Sequence, residues 1–149
     1  MNSNYQFINI APVFLSSDVK RTVDFYVSKL GFKYAKNFDK KNNFATIYKD
    51  TIEFVIVQKK KGTIKSNYQR YGNGYDAYID TKSIEGVDKV YNEYKKKGIK
   101  IIIEPRLTDY GSYEFVFEDI DGRRIGIGLI KEKKTFFKES NYINIKSNR

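Results

Sequence analysis

Histidine, cysteine and tryptophan are absent from this 149-residue sequence, which also has only two prolines and one methionine. Without Cys or His there is no structural zinc site, disulfide framework, thiol nucleophile, Ser-His-Asp relay or imidazole acid–base group. Any metal would have to sit among oxygen ligands. No apolar run approaches the ~18 residues that span a bilayer, and Met1-Asn2-Ser3-Asn4-Tyr5 has no basic region leading into an apolar stretch. A cytoplasmic protein with no membrane partner is expected, and the lack of Cys fits a reducing compartment.

What is present is a core and a charge. Thirteen Tyr, 11 Phe and 40% hydrophobic content over 149 residues suffice for one ordinary globular domain. With 28 Lys+Arg against 18 Asp+Glu the net charge is +10, which favours anionic partners in general. The lysines fall in short clusters at element ends and turns (Lys40-Lys41, Lys59-Lys60-Lys61, Lys95-Lys96-Lys97, Lys131 to Lys134) without a nucleic-acid reading motif, so a solvated surface is expected and nucleic acid is not. No phosphate loop or dinucleotide fingerprint is present, and Gly72-Asn73-Gly74 reads as a turn.

Two halves show the same order of elements. Phe7–Leu15 reads as a strand, Ser16-Ser17-Asp18 offers N-cap chemistry, and Val19, Val23, Tyr26, Val27 and Leu30 mark one face of a helix that Gly31 ends. Strands follow at Phe32–Phe38, Phe44–Lys49 and Ile52–Gln58. After a basic, polar connector from Lys59 to Asn73 come a strand at Tyr75–Asp80 and a helix with Ile84, Val87, Tyr91 and Tyr94 on one side, ended by Gly98. Ile99–Glu104 reads as a strand, Pro105–Ser112 as a loop, and Tyr113–Glu118 with Arg123–Ile130 as a hairpin around Asp119-Ile120-Asp121-Gly122. The prediction is an α+β domain over residues 1–130, two βαβββ modules at about 7–58 and 74–130, then a charged tail, 131–149, read as a terminal strand or a disordered remnant.

The residues carry a resemblance. Asp18-x-x-x-Thr22-Val23-x-Phe25-Tyr26-x-x-x-Leu30-Gly31-Phe32 resembles the opening helix of the glyoxalase, bleomycin-resistance and extradiol-dioxygenase superfamily, the vicinal oxygen chelate group, and Glu118-Asp119-x-Asp121-Gly122-x-x-Ile125 resembles its closing hairpin. Ala11-Pro12-Val13, Asn43-Phe44-Ala45, Asp76-Ala77-Tyr78-Ile79 and Tyr113-Glu114-Phe115 resemble the bleomycin-resistance branch most. The resemblance implies sheets forming a cup-shaped incomplete barrel. It also implies a homodimer with an N-terminal arm exchanged at Pro12, although a proline ending an edge pairing reads equally well.

Metal-dependent relatives place one ligand from each of four strands around an ion. Carried over, those positions fall at Ala11, Glu53, Tyr75 or Asp76, and Gly126, so at most two of four could donate, and a divalent ion held this way needs three or more protein ligands. No metal and no cofactor are therefore expected, and the reading leans away from an enzyme. Were the chain one, Glu53 would be its remaining ligand and general base.

The ligand-binding candidates are Phe44, Glu53, Asp76, Tyr78 and Gly126, each with a plainer reading. Glu53 on an alternating strand can face water or a lysine, and Phe44 and Tyr78 can be core. Strict alternation puts Asp76 and Tyr78 on one face and Tyr75 and Ala77 on the other. Gly126 and Gly128 leave one face of the last strand bare, to widen a cup or to seat an aromatic ring. The leading expectation is a metal-independent small-molecule binder, such as an antibiotic or metabolite sequestration protein. A divergent metal-dependent lyase or isomerase of the glyoxalase type and a binder of anionic polymers are the alternatives. A +10 chain opposes a cationic drug of the bleomycin type within about a Debye length, ~8 Å, unless Glu53, Asp76 and Glu114 act locally, so an acidic or neutral aromatic ligand fits better.

Overall fold

The computed structural model describes residues 4, 6–35, 41 and 43–130. The expected tail, 131–149, and Phe38, the expected end of a strand, lie outside these residues. The chain divides into two compact units, Met1–Gly74 with the turn Asp119–Arg123, and Tyr75–Glu118 with the chain from Arg124 onward.

The first unit has β1 (Val13–Ser16), α1 (Val19–Ser28), β2 (Lys33–Tyr34), β3 (Phe44–Lys49), β4 (Ile52–Gln58) and a short α2 (Asn67–Tyr71). The strand order is β1-β4-β3-β2, with β1 parallel to β4 and the other pairs antiparallel. Asp18 caps α1 by accepting from Arg21 N at 3.1 Å. The helix face built of Val19, Thr22, Val23 and Tyr26 is buried, as are Phe14, Ala45, Ile47, Phe54 and Ile56 on the sheet. Phe14 stacks on Phe54 with centroids 5.0 Å apart, and Tyr26 meets Phe32 edge-on at 5.4 Å. Burying each such side chain contributes about 1.5–3 kcal/mol.

The turn 119–123 completes this core with polar groups. Arg123 is buried between Asp119 (Nε to Oδ2, 2.8 Å) and Asp121 (Nη2 to Oδ2, 2.7 Å), donates from Nη1 to the Leu15 carbonyl at 2.6 Å, and lies over the Phe14 ring. Tyr26 Oη donates to Asp119 at 2.7 Å, and Thr22 Oγ1 to Asp121 at 2.6 Å. Burial pushes the Asp119 carboxyl up even against Arg123 and the Tyr26 hydroxyl. Every charge here has a partner, which is what makes the burial tolerable.

The second unit has β5 (Ala77–Asp80), α3 (Ile84–Lys96), β6 (Lys100–Leu107), β7 (Ser112–Glu118) and β8 (Arg124–Ile130), in sheet order β5-β8-β7-β6. Ser83 caps α3 through Gly86 N. Val87 and Tyr94 of the helix are buried, as are Phe115, Phe117, Ile125 and Ile127, with Tyr94 edge-on to Phe117 at 5.1 Å.

Two βαβββ orders are thus present, with differences in detail. β1 starts at Val13 rather than Phe7: β1 is an edge strand, Pro12 has no N–H, and its carbonyl, accepting from Val55 N at 2.9 Å, stands at the start of the ladder. α2 lies inside the connector that reads as irregular. β6 runs on through Pro105 to Leu107, past its expected end at Glu104, with register shifts at Ile101/Ile103 and Ile103/Arg106 that accommodate the proline. Residue 75 precedes β5, so strict alternation does not apply to it.

Candidate functional site

The chemistry of the second unit gathers on the sheet face opposite α3. Glu114 on β7 is 1% exposed. Its Oε1 accepts from Tyr75 Oη at 2.8 Å and from Tyr110 Oη, and its Oε2 from Ser112 Oγ at 3.1 Å, while Tyr78 Oη pairs with Ser112 Oγ at 2.6 Å. Ser112 and Glu114 share a face because they stand two apart on one strand. The Tyr75 and Tyr78 rings stack with centroids 6.2 Å apart. Burial, reinforced by Glu114, pushes both phenols up, and Tyr110 likewise. At neutral pH these hydroxyls are donors, neither bases nor nucleophiles. The network solvates a buried carboxylate, and both its oxygens are engaged.

Across the sheet, Glu114 pairs with Gly128, and Tyr78 pairs with Gly126. A Cβ at position 126 would sit 2.8 Å from Tyr78 Cδ2 and 3.0 Å from Tyr75 Cδ2. The bare face of β8 therefore seats the two tyrosines. Tyr75 shares the Tyr78 side, against the alternation drawn from sequence. Asp76 closes the start of the β5–β8 ladder: its Oδ2 accepts from Arg124 N at 2.9 Å, and its own N–H donates to the Arg124 carbonyl at 2.8 Å.

In the first unit Phe44 and Glu53 share the sheet face that α1 does not cover. Phe44 pairs with Val57 and Glu53 with Tyr48, so they stand at opposite ends of the β3–β4 pair. Val13 (57% exposed), Leu15 (45%), Phe44 (43%) and Tyr48 (42%) make this face open and apolar. Glu53 accepts from Asn9 Nδ2. The sequence singled out Phe44, Glu53, Asp76, Tyr78 and Gly126 as ligand-binding candidates and Tyr75 only as a metal position, and it passed over Tyr110 and Ser112. The available signal was Tyr110-x-Ser112-x-Glu114 at alternate positions, with Glu114 opposite Gly128.

A family model described as glyoxalase/bleomycin resistance protein/dioxygenase superfamily matches residues 10–127. The chain belongs to that superfamily. Solved structures agree in fold: a glyoxalase/bleomycin resistance protein/dioxygenase from Alicyclobacillus acidocaldarius (TM-score 0.67, 18% identity, 84% of this chain and 92% of that one), and a glyoxalase-related enzyme from Clostridium phytofermentans (0.66, 15%, 87% and 99%). A lactoylglutathione lyase from Agrobacterium tumefaciens is similar too (0.62, 11%, 82% and 92%). No curated protein matches in sequence.

For a superfamily member, the fit of a metal is tested by donor chemistry position by position. Ala11 and Gly126 have no donor atom, and rings cover Gly126. The Tyr75 hydroxyl is spent on Glu114, Asp76 Oδ2 on Arg124 N, and Glu53 on Asn9. Among the described residues no group of three or more His, Cys, Asp or Glu could hold an ion. The residues at the superfamily's metal positions do not fit a metal centre, and no chemistry is derived through one.

Proposed function

We propose that this superfamily member is a metal-independent small-molecule-binding protein, of the sequestration type, that takes an acidic or neutral aromatic ligand on the open face of its first sheet. One observation carries the reading: Val13 and Leu15 on β1 and Phe44 and Tyr48 on β3 hold 42–57% of their surface exposed on one face of the sheet, flanking Val55 and Val57 of β4. A contiguous exposed apolar patch on a sheet is costly without an occupant. The net charge of +10 favours an anionic aromatic over a cationic one. A homodimer belongs to the same proposal, supported by Phe7, Ile8 and Ile10, which stand 91–92% exposed just ahead of Pro12.

Calorimetry with the anionic aromatic probe 1-anilinonaphthalene-8-sulfonate tests it. Saturable binding is expected, weakened roughly tenfold by Phe44→Ala, which removes an aromatic contact of about 1–2 kcal/mol. Metal-free bleomycin is expected to bind far more weakly. Stoichiometric metal in protein purified without chelators, lost in Glu53→Gln, would overturn the reading in favour of a glyoxalase-type lyase.

A further inference from the structure

Lys59 to Tyr75 contains Lys59, Lys60, Lys61, Lys65 and Arg70 and no Asp or Glu, so this stretch supplies +5 of the chain's +10. It is held in place. Ser66 is buried and caps α2 by accepting from Gln69 N at 3.1 Å, while Gln69 Oε1 accepts from Ser66 N at 2.9 Å, and Gly72 closes the helix at φ 82°. Two clefts open along it, both within the first unit, and they share Thr63. One, of about 380 Å³, is lined by Ser17, Arg21, Lys59 and Thr63, with Asp121 at its wall. The other, of about 490 Å³, is lined by Thr63, Lys65, Gln69, Arg70 and Tyr71.

Three cations of these clefts, Lys59, Lys65 and Arg70, are left for a ligand. Asp121 is already met by Arg123 at 2.7 Å and by Arg21 at 3.5 Å, so it does not oppose an anion. Lys59, Lys65 and Arg70 make no ion pair among the described residues. Tyr71 presents its ring 73% exposed beside Arg70. Gln69 has its amide oxygen on Ser66 N. Cations with a flat exposed ring recognise a phosphate joined to a planar base.

We propose that the two adjoining clefts form one binding site for a nucleoside phosphate, the base stacked on Tyr71 and the phosphates reaching past Thr63 from Lys65 and Arg70 towards Lys59. Open clefts of this size, within the ~300–1,000 Å³ of small-molecule sites, accommodate a single nucleotide. The site is distinct from the open sheet face that carries Phe44.

Calorimetric titration of the full-length protein with ADP, adenosine, inorganic phosphate and a single-stranded oligonucleotide tests this. ADP is expected to bind one per chain, with adenosine and phosphate each at least ~tenfold weaker because each uses half of the site. Lys65→Ala/Arg70→Ala weakens ADP by tenfold or more and Tyr71→Ala by roughly tenfold, while Lys95→Ala on α3 leaves it unchanged. All of these side chains are exposed, and circular dichroism checks that each variant folds. Absence of ADP binding, ADP affinity indifferent to Lys65→Ala/Arg70→Ala, phosphate as tight as ADP, or oligonucleotide binding that ADP fails to displace would each overturn the assignment.

Discussion

A methyl group at position 128 would meet Tyr78 Oη, Glu114 Cβ at 2.5 Å and the Tyr113 carbonyl oxygen at 2.7 Å, two of which belong to strand β7 and cannot swing away. At position 126 the nearest atoms are ring carbons of Tyr78 and Tyr75, at 2.8 and 3.0 Å, which can pivot. Gly128→Ala is therefore expected to lose about 2–3 kcal/mol and Gly126→Ala about 1 kcal/mol or less, read as shifts of the urea midpoint at constant m-value. Equal losses would mean that the sheet, not the side-chain stack, resists the methyl. The alternating glycines were legible in the sequence as a bare strand face. What they seat was not, because Tyr75 precedes β5 and escapes the alternation that separates Asp76 from Ala77.

Elements were legible where a cap and a periodic face coincide. Asp18 and Ser83 begin α1 and α3, and the apolar positions Val19, Val23 and Tyr26, or Val87 and Tyr94, recur at helical spacing. The five-residue α2 has no buried residue and hence no apolar period to read; only its capping box, Ser66 with Gln69, announced it. The N-terminal segment failed for the opposite reason. Phe7, Ile8 and Ile10 read as an apolar strand, but these residues stand 91–92% exposed and the β1 ladder starts only at Pro12 and Val13. Apolar side chains of that size, worth about 1.5–3 kcal/mol each when buried, suit an arm that a second copy covers. Deleting residues 2–10 is expected to convert a dimer to a monomer in sedimentation velocity at micromolar concentration. An intact protein that is already monomeric, or a deletion that still dimerises, would remove the arm from the proposal.

Across the whole molecule, acid–base behaviour is governed by phenols, since no imidazole or thiol titrates near neutrality. Burial leads the causes that raise Tyr26, Tyr75, Tyr78, Tyr94 and Tyr110, and the bond to Asp88 raises Tyr113. A phenol raised in the folded state keeps its proton after the unfolded chain has lost it, near pH ~10. Above that pH the folded state binds more protons than the unfolded one, so stability falls as pH rises towards the folded values and is fully present below the unfolded value. Loss of lysine charge in the same range lowers the net charge of +10 and works weakly the other way, through reduced self-repulsion. The phenols are the larger effect, because Tyr26 and Tyr94 are buried and Tyr75 and Tyr78 partly so, whereas most of the described lysines are exposed. Thermal unfolding followed from pH 7 to 11 is thus expected to show a nearly constant midpoint up to about pH 9.5 and a steep decline beyond it. Ultraviolet titration should show Tyr26, Tyr75, Tyr78 and Tyr94 ionising only with unfolding. A single smooth ionisation of all tyrosines without loss of secondary structure would contradict the hydrogen-bonded burial of Tyr26 on Asp119 and of Tyr75 on Glu114.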